Sequence, residues 1–76
     1  MTQSLSMDRL SEGQNATITQ ISGGKSLARK MIGLGLRVGG EVCLLQRRRH
    51  GLVLANRGAR IALGDSIARH LKVSPC

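Results

Sequence analysis

The feature that most constrains this chain is its lack of aromatic residues, because its 76 residues include no Phe, Tyr or Trp. Its core must therefore be built from aliphatic side chains, which pack densely and leave little space for a bound molecule. A small-molecule site is usually a sizeable concavity with apolar and aromatic walls. We therefore expect no cofactor and no small-molecule substrate, and the composition disfavours an enzyme.

The length of the chain indicates one domain. A chain this short hides only about 60% of the surface that its unfolded form exposes, so every apolar segment must share one core. We predict a flexible N-terminal arm over residues 1–9, a folded domain over residues 10–73 and a tail over residues 74–76. The arm is predicted because its isolated Met and Leu residues follow no period.

Short strands and two helices are predicted from the alternation of apolar and polar residues and from the positions of the glycines. Short strands at close spacing, with one helix inserted and one terminal, are typical of a small closed or nearly closed β-barrel. The predicted elements are strands at residues 14–21, 41–48, 52–56 and 59–63, an amphipathic helix after Gly23-Gly24, a final helix from Gly64 or Asp65 that includes Leu71 and Lys72, and a last short strand at Val73.

The balance of charged residues indicates which classes of binding partner the chain favours. Twelve Lys and Arg against four Asp and Glu give a formal net charge of +8. Such a field favours nucleic acids, acidic protein faces or anionic membrane surfaces. Without aromatic rings the chain cannot offer a base-stacking platform, although phosphate contacts remain available. A nucleic-acid-binding module is therefore kept as an alternative.

The cysteines and the N-terminal residues bear on the cellular compartment of the protein. Only Cys43, inside a strand-like run, and Cys76, the last residue, are present, which is a poor framework for a disulfide-stapled secreted domain. The first residues lack the apolar stretch of a signal peptide, and no apolar run approaches the ~20 residues of a membrane-spanning helix. We therefore expect a cytoplasmic protein.

Few residues of this chain could carry a catalytic or metal-binding motif. No Ser is paired by motif with a His and a carboxylate, so no catalytic residue is assigned. The two His and two Cys residues lack paired-ligand spacing, so no metal site is predicted. His50, His70 and Cys76 are candidates only for adventitious metal binding between molecules.

The most specific motifs occupy residues 21–42. An Ile-Ser-Gly-Gly run at residues 21–24 precedes Leu-Ala-Arg-Lys-Met at residues 27–31 and Leu-Gly-Leu-Arg-Val-Gly-Gly-Glu-Val at residues 34–42. This succession resembles the FeoA family, in which a Gly-containing turn, an Arg-bearing amphipathic helix and a Leu-Gly-Leu turn lead into a strand. Residues 57–63 and the apolar positions up to Val73 resemble the family's final hairpin and closing helix. The resemblance covers about residues 10–73.

The resemblance implies a mainly β fold, a small SH3-like β-barrel with one inserted amphipathic helix and a short C-terminal helix. It also implies a non-enzymatic cytosolic accessory protein of ferrous iron uptake that binds FeoB, a membrane permease with a cytoplasmic GTPase domain. The alternatives are a nucleic-acid-binding SH3-like module and the detached SH3-like domain of a metal-dependent repressor. Weak self-association is left open.

The candidate partner-binding residues are aliphatic or basic. Leu34 and Leu36 flank a glycine that can reverse the chain, and each is either a partly exposed anchor or a core residue. The densest positive run lies near a strand end, where it either contacts an acidic partner or is solvated. Arg29 belongs to the polar face of the predicted helix. The full predicted set is Leu34, Leu36, Arg29, Arg47, Arg48 and Arg49.

Overall fold

The computed structural model describes residues 4–76, which form six strands, a 3-10 helix and two α-helices. No helix in this part of the chain is long and apolar enough to cross a membrane. In chain order the elements are strand β1 (Leu5–Ser6), the 3-10 helix (Met7–Arg9), strand β2 (Asn15–Ile21), helix α1 (Lys25–Gly33), strand β3 (Glu41–Arg48), strand β4 (Gly51–Asn56), strand β5 (Ala59–Gly64), helix α2 (Asp65–Ala68) and strand β6 (Leu71–Pro75).

The six strands form one antiparallel sheet in the order β1-β6-β2-β3-β4-β5. Ile18 on β2, Leu54 on β4 and Val73 on β6 are fully buried in one common aliphatic cluster. Because strands from across the sheet line the same cluster, the sheet must curve around its own core. This arrangement confirms the predicted mainly β, SH3-like architecture.

The sheet remains open between β5 and β1, and two short helices span that gap. Helix α2 contacts β4 and β5, whereas the 3-10 helix contacts β6, and the two helices contact each other. Met7 of the 3-10 helix and Ala68 of α2 are both buried in the core cluster. The ends of the barrel are therefore joined by side-chain packing where backbone pairing is missing.

The predicted strands agree closely with the observed ones. Strand β3 has the predicted bounds, and β2, β4 and β5 each differ from the prediction by one residue at one end. The hairpin between β4 and β5 turns through Arg57 and Gly58, which both have positive φ (51° and 83°). Two such residues define the type I′ turn, whose twist matches that of paired strands.

The predicted final helix is wrong in its extent. Helix α2 ends at Ala68, and Leu71 and Lys72 belong to β6. Leu71 pairs with Ile21 in β2, and its side chain is fully buried in the core there. The predicted tail is also corrected, because β6 continues through Pro75 and the Cys76 N–H donates to the Asn15 carbonyl at 3.0 Å.

The predicted flexible arm is corrected over residues 5–9. Leu5 and Ser6 pair with Val73 and Lys72 of β6, and Met7 is fully buried. These residues show no sequence period because a two-residue strand is followed at once by a single 3-10 turn. Residues 1–3 of the predicted arm lie outside the described residues.

The packing of this segment generates a first prediction. Replacing the fully buried Met7 by Ala should lower the free energy of unfolding by about 2–5 kcal/mol, because it removes core contacts and leaves a cavity. The matched control is Ile32→Ala, at an exposed site, which should change it by less than about 0.5 kcal/mol. Urea denaturation followed by circular dichroism measures both values, and equal stabilities for the two variants would contradict the packed N-terminal segment.

Candidate protein-docking surface

Helix α1 lies on the outside of the barrel and is fixed to it mainly by one side chain. Met31 is its only fully buried residue, and Leu27 packs partly buried against the core. Gly23 precedes the helix, has φ of +97° and lies close to Leu27 and His70. A Cβ added at Gly23 would lie 2.6 Å from the Leu27 Cδ2 atom and 3.2 Å from the His70 ring. A glycine is therefore required at this approach.

The turn after α1 is held by backbone hydrogen bonds. The Leu36 N–H donates to the Met31 carbonyl at 2.8 Å, and the intervening Gly35 has φ of +89°. The Asn56 side-chain amide donates to the Gly35 carbonyl at 2.7 Å, which joins this turn to the β4–β5 hairpin. The turn is therefore anchored at both the helix and the sheet.

Three large apolar side chains project from this anchored region. Ile32, Leu34 and Val38 are 64%, 40% and 58% exposed, and we call these three residues the α1 patch. Elsewhere in the described chain, Leu45 is the one further large apolar side chain that is exposed. The three residues of the α1 patch lie within seven positions of the chain, and contiguous exposed apolar surface marks interaction sites.

Basic residues accompany the α1 patch. Arg29 and Lys30 lie on exposed positions of α1, and Arg37 is exposed between Leu36 and Val38. Glu41 is the nearest acidic residue along the chain, at the start of β3. The surface therefore combines an apolar centre with positively charged surroundings, an arrangement common in protein interfaces.

The structure separates the predicted partner-binding residues. Leu34 and Arg29 are both exposed, Arg29 on α1 and Leu34 directly after it, whereas Leu36 is 1% exposed and belongs to the core. The candidate role of Leu36 as an exposed anchor is therefore corrected. Its backbone bond to Met31 reverses the chain so that Leu36 points inward.

Arg47 is exposed, but its polar groups are bound within the chain. Its guanidinium donates to the backbone carbonyls of Asp8 and Leu10, and its N–H donates to the Glu12 carboxylate at 2.7 Å. A bulge between Leu44 and Gln46 shifts the alternation of β3, so that Arg47 pairs with the buried Leu52. Arg47 therefore ties the N-terminal segment to β3.

Arg48 and Arg49 are exposed, but they lie at a different end of the molecule from the α1 patch. Arg48 pairs with Gly51 at the start of β4, whereas Asn56, at the end of β4, holds the turn after α1. A strand advances about 3.3 Å per residue, so these two ends are about 17 Å apart. The predicted residues therefore belong to two surfaces.

Ile32 and Val38 are not among the predicted partner-binding residues. Ile32 follows Met31 on the apolar stripe of α1, which the amphipathic pattern predicts to be buried, but the helix buries only a narrow face. Val38 stands between Arg37 and Gly39 in a turn, where an isolated apolar residue has no strand or helix period to bury it. This isolated position was the one sequence feature that could have indicated an exposed Val38.

The candidate metal ligands do not converge. His50 is exposed in the β3–β4 turn, the Nδ1 atom of His70 lies 3.3 Å from the Ser22 hydroxyl, and the Cys76 sulfur lies 3.9 Å from the Thr17 hydroxyl. Within residues 4–76, no three His, Cys, Asp or Glu side chains come together as a metal site requires.

The curved sheet, bridged by two short helices and carrying one helix outside, defines a small SH3-like domain. A family model describing the FeoA domain matches residues 5–75. The chain belongs to the FeoA family, which confirms the resemblance found in the sequence. No curated protein matches the chain.

Solved structures share this fold. An iron uptake regulatory protein, FeoA, is 21% identical with a TM-score of 0.91, and the match covers 97% of this chain and 100% of that one. A FeoA-like protein from Clostridium acetobutylicum is 20% identical with a TM-score of 0.83, covering 96% and 87%. A manganese-dependent transcriptional repressor is 19% identical with a TM-score of 0.90, covering 100% of this chain but only 44% of the repressor. Identities this low show a common fold and nothing further.

The different surroundings of the adjacent arginines generate a second prediction. Arg47→Ala should lower the free energy of unfolding by about 1–2 kcal/mol, because it frees two backbone carbonyls bound by a charged donor. Arg49→Ala, at an exposed turn position two residues away, should change it by less than about 0.5 kcal/mol. Urea titrations measure the free energy of unfolding of both variants. A larger decrease for Arg49→Ala than for Arg47→Ala would contradict the structural role of Arg47.

Proposed function

We propose that this chain is a non-enzymatic accessory protein of ferrous iron transport that docks through its α1 patch on the cytoplasmic GTPase-bearing part of a FeoB-type permease. The role in ferrous iron transport follows from membership in the FeoA family. The choice of partner and the cytoplasmic location are the proposed additions. The observation that carries the proposal is the exposed α1 patch with its basic surroundings.

The α1 patch has the properties of an interface centre. Ile32, Leu34 and Val38 would lose exposed apolar surface on docking, which contributes roughly 25 cal/mol for each Å² removed from water. The turn that carries Leu34 is already fixed by hydrogen bonds to α1 and to Asn56. Because a preorganised turn loses little conformational entropy on binding, more of the burial energy is available for affinity.

The charge of the chain favours an acidic partner face. Arg29, Lys30 and Arg37 are exposed around the α1 patch, and the whole chain carries a formal net charge of +8. Complementary charge accelerates and orients an encounter more than it strengthens the final complex. Raising the salt concentration should therefore slow association more than it accelerates dissociation.

The interior supports a role without catalysis. The core is filled with aliphatic side chains from the strands and the helices, and Ser74 is the single buried polar residue in the described chain. Such an interior offers no cluster of titratable groups for acid–base chemistry. GTP hydrolysis would accordingly be carried out by the permease.

The docking proposal generates a third prediction. Leu34→Glu should weaken binding to the isolated soluble domain of the cognate permease at least about tenfold, because it places a charge at the centre of the apolar contact. Gln20→Glu is the matched control, since it makes the same charge change at an exposed position of β2, and its affinity should stay within about threefold of the unmodified chain. Isothermal titration calorimetry at low salt measures both affinities.

Two results would contradict this proposal. One is the absence of any binding between the two folded proteins at low salt. The other is salt-dependent binding of this chain to unrelated duplex DNA that exceeds its affinity for the permease domain, which would favour the nucleic-acid alternative.

A further inference from the structure

A second surface lies on the sheet, away from the α1 patch, and begins at the free edge of β5. Strand β5 is the last in the sheet order, and within residues 4–76 no strand pairs with its other side. Natural proteins usually cover or blunt such edges, because their unpaired backbone groups can bind another extended chain. Helix α2 contacts β5 across the gap in the sheet. Arg60 and Ala62 nevertheless remain exposed, so their part of the β5 edge is a place where a strand can be added.

The register of the hairpin shows which backbone groups are available. The two-residue turn at Arg57 and Gly58 makes Asn56 and Ala59 a hydrogen-bonded pair, and such pairs alternate along the ladder. Arg60 and Ala62 therefore occupy the non-hydrogen-bonded positions, and their N–H and C=O groups point away from β4. The backbone hydrogen bonds found outside the sheet ladders involve neither residue.

The outer face beside this edge forms a shallow groove with an apolar floor. Its floor contains Val53 of β4, Ala62 of β5 and the 39% exposed Leu45 of β3. Leu45 follows the buried Leu44, so the alternation of β3 places it on the outer face. It is also the unpaired residue of the β3 bulge, because Leu44 and Gln46 on either side of it pair with consecutive residues of β4.

Arginines form two sides of the groove. Arg60 projects from β5 beside the free edge, and Arg48 borders the groove at β3. Both side chains are exposed, as is Ala62. An occupant that places carboxylates beside an apolar side chain would match this surface in both charge and polarity.

The charge also selects between the possible occupants. A second copy of this chain, pairing edge to edge through β5, would bring Arg60 close to its own counterpart, and charged edge residues oppose such pairing. A basic or neutral segment would gain nothing from Arg48 or Arg60. An acidic segment is attracted by both, and by the net charge of +8.

We propose that the free edge of β5 and its adjoining groove bind an extended acidic segment of a partner protein by strand addition. The segment pairs its backbone with Arg60 and Ala62, places an apolar side chain over Val53 and Ala62, and directs a carboxylate to Arg60. Backbone pairing supplies affinity in this mode of recognition, and the alternate side chains supply specificity. This surface is distinct from the α1 patch and does not rest on the proposed docking to the permease.

The test uses a capped hexapeptide of sequence Glu-Thr-Val-Thr-Glu-Thr, added to the full chain labelled with nitrogen-15. Because side chains alternate between the two faces of a strand, its glutamates and its valine lie on one face, as Arg60 and Ala62 do. The amide protons of Arg60 and Ala62 should exchange rapidly in the free protein and at least about tenfold more slowly in the complex. The amide protons of Ile61 and Leu63, which already pair within the hairpin, should be slow in both states. A peptide of the same sequence with an N-methylated valine, or one with lysine in place of both glutamates, should give no protection.

A matched pair of variants tests the role of charge. Arg60→Glu should weaken binding of the Glu-Thr-Val-Thr-Glu-Thr peptide at least about tenfold, because it opposes a carboxylate with a carboxylate. Lys72→Glu makes the same charge change at an exposed position of β6, a strand paired on both sides, and should weaken binding less than about threefold. Nuclear magnetic resonance titrations give both affinities and confirm that the variants are folded.

Three outcomes would overturn the proposal. The first is peptide binding without protection of the Arg60 and Ala62 amides, and the second is an equal loss of affinity in the two variants. The third is protection of these amides that rises with protein concentration in the absence of peptide, which would make a second copy the occupant. Since no permease is present in the assay, these results are independent of the docking test on the α1 patch.

Discussion

The barrel depends on aliphatic packing across the place where its sheet fails to close. Backbone pairing runs from β1 to β5 and stops there, so Met7 of the 3-10 helix and Ala68 of α2 supply the contact between the two ends. Without aromatic rings, no single side chain is large enough to fill such a gap alone. The short helices thus complete the core, and Arg47 adds polar contacts that hold the first of them in place.

The sheet could largely be predicted from the sequence, because its strands have clear alternation and are separated by glycines. Strand β3 and the hairpin of β4 and β5 agree with the prediction to within a residue at each end. The N-terminal segment could not be predicted in this way. A two-residue strand and one 3-10 turn are too short to show a period, and the burial of Met7 depends on β6, more than 60 residues later in the chain.

The docking surface was only partly predictable, and for a related reason. Leu34 and Leu36 look equivalent in sequence, but the positive φ at Gly35 and the hydrogen bond from Leu36 to Met31 send them to opposite environments. The arginine run is divided by the bulge at Leu45, which changes the side of the strand that Arg47 faces. A bulge adds one residue without any marked change in composition, so a pattern of alternation cannot locate it.

The attachment of α1 through Met31 has a consequence for the packing beneath the helix. The helix itself stays in place, because Leu27 packs beside Met31 and hydrogen bonds fix the turn that follows. Methionine is unbranched and flexible, so its side chain can adjust its shape to the space between the helix and the strands. One adaptable side chain can therefore take up small changes in the packing of its neighbours while the backbone of the helix and the barrel keeps its position.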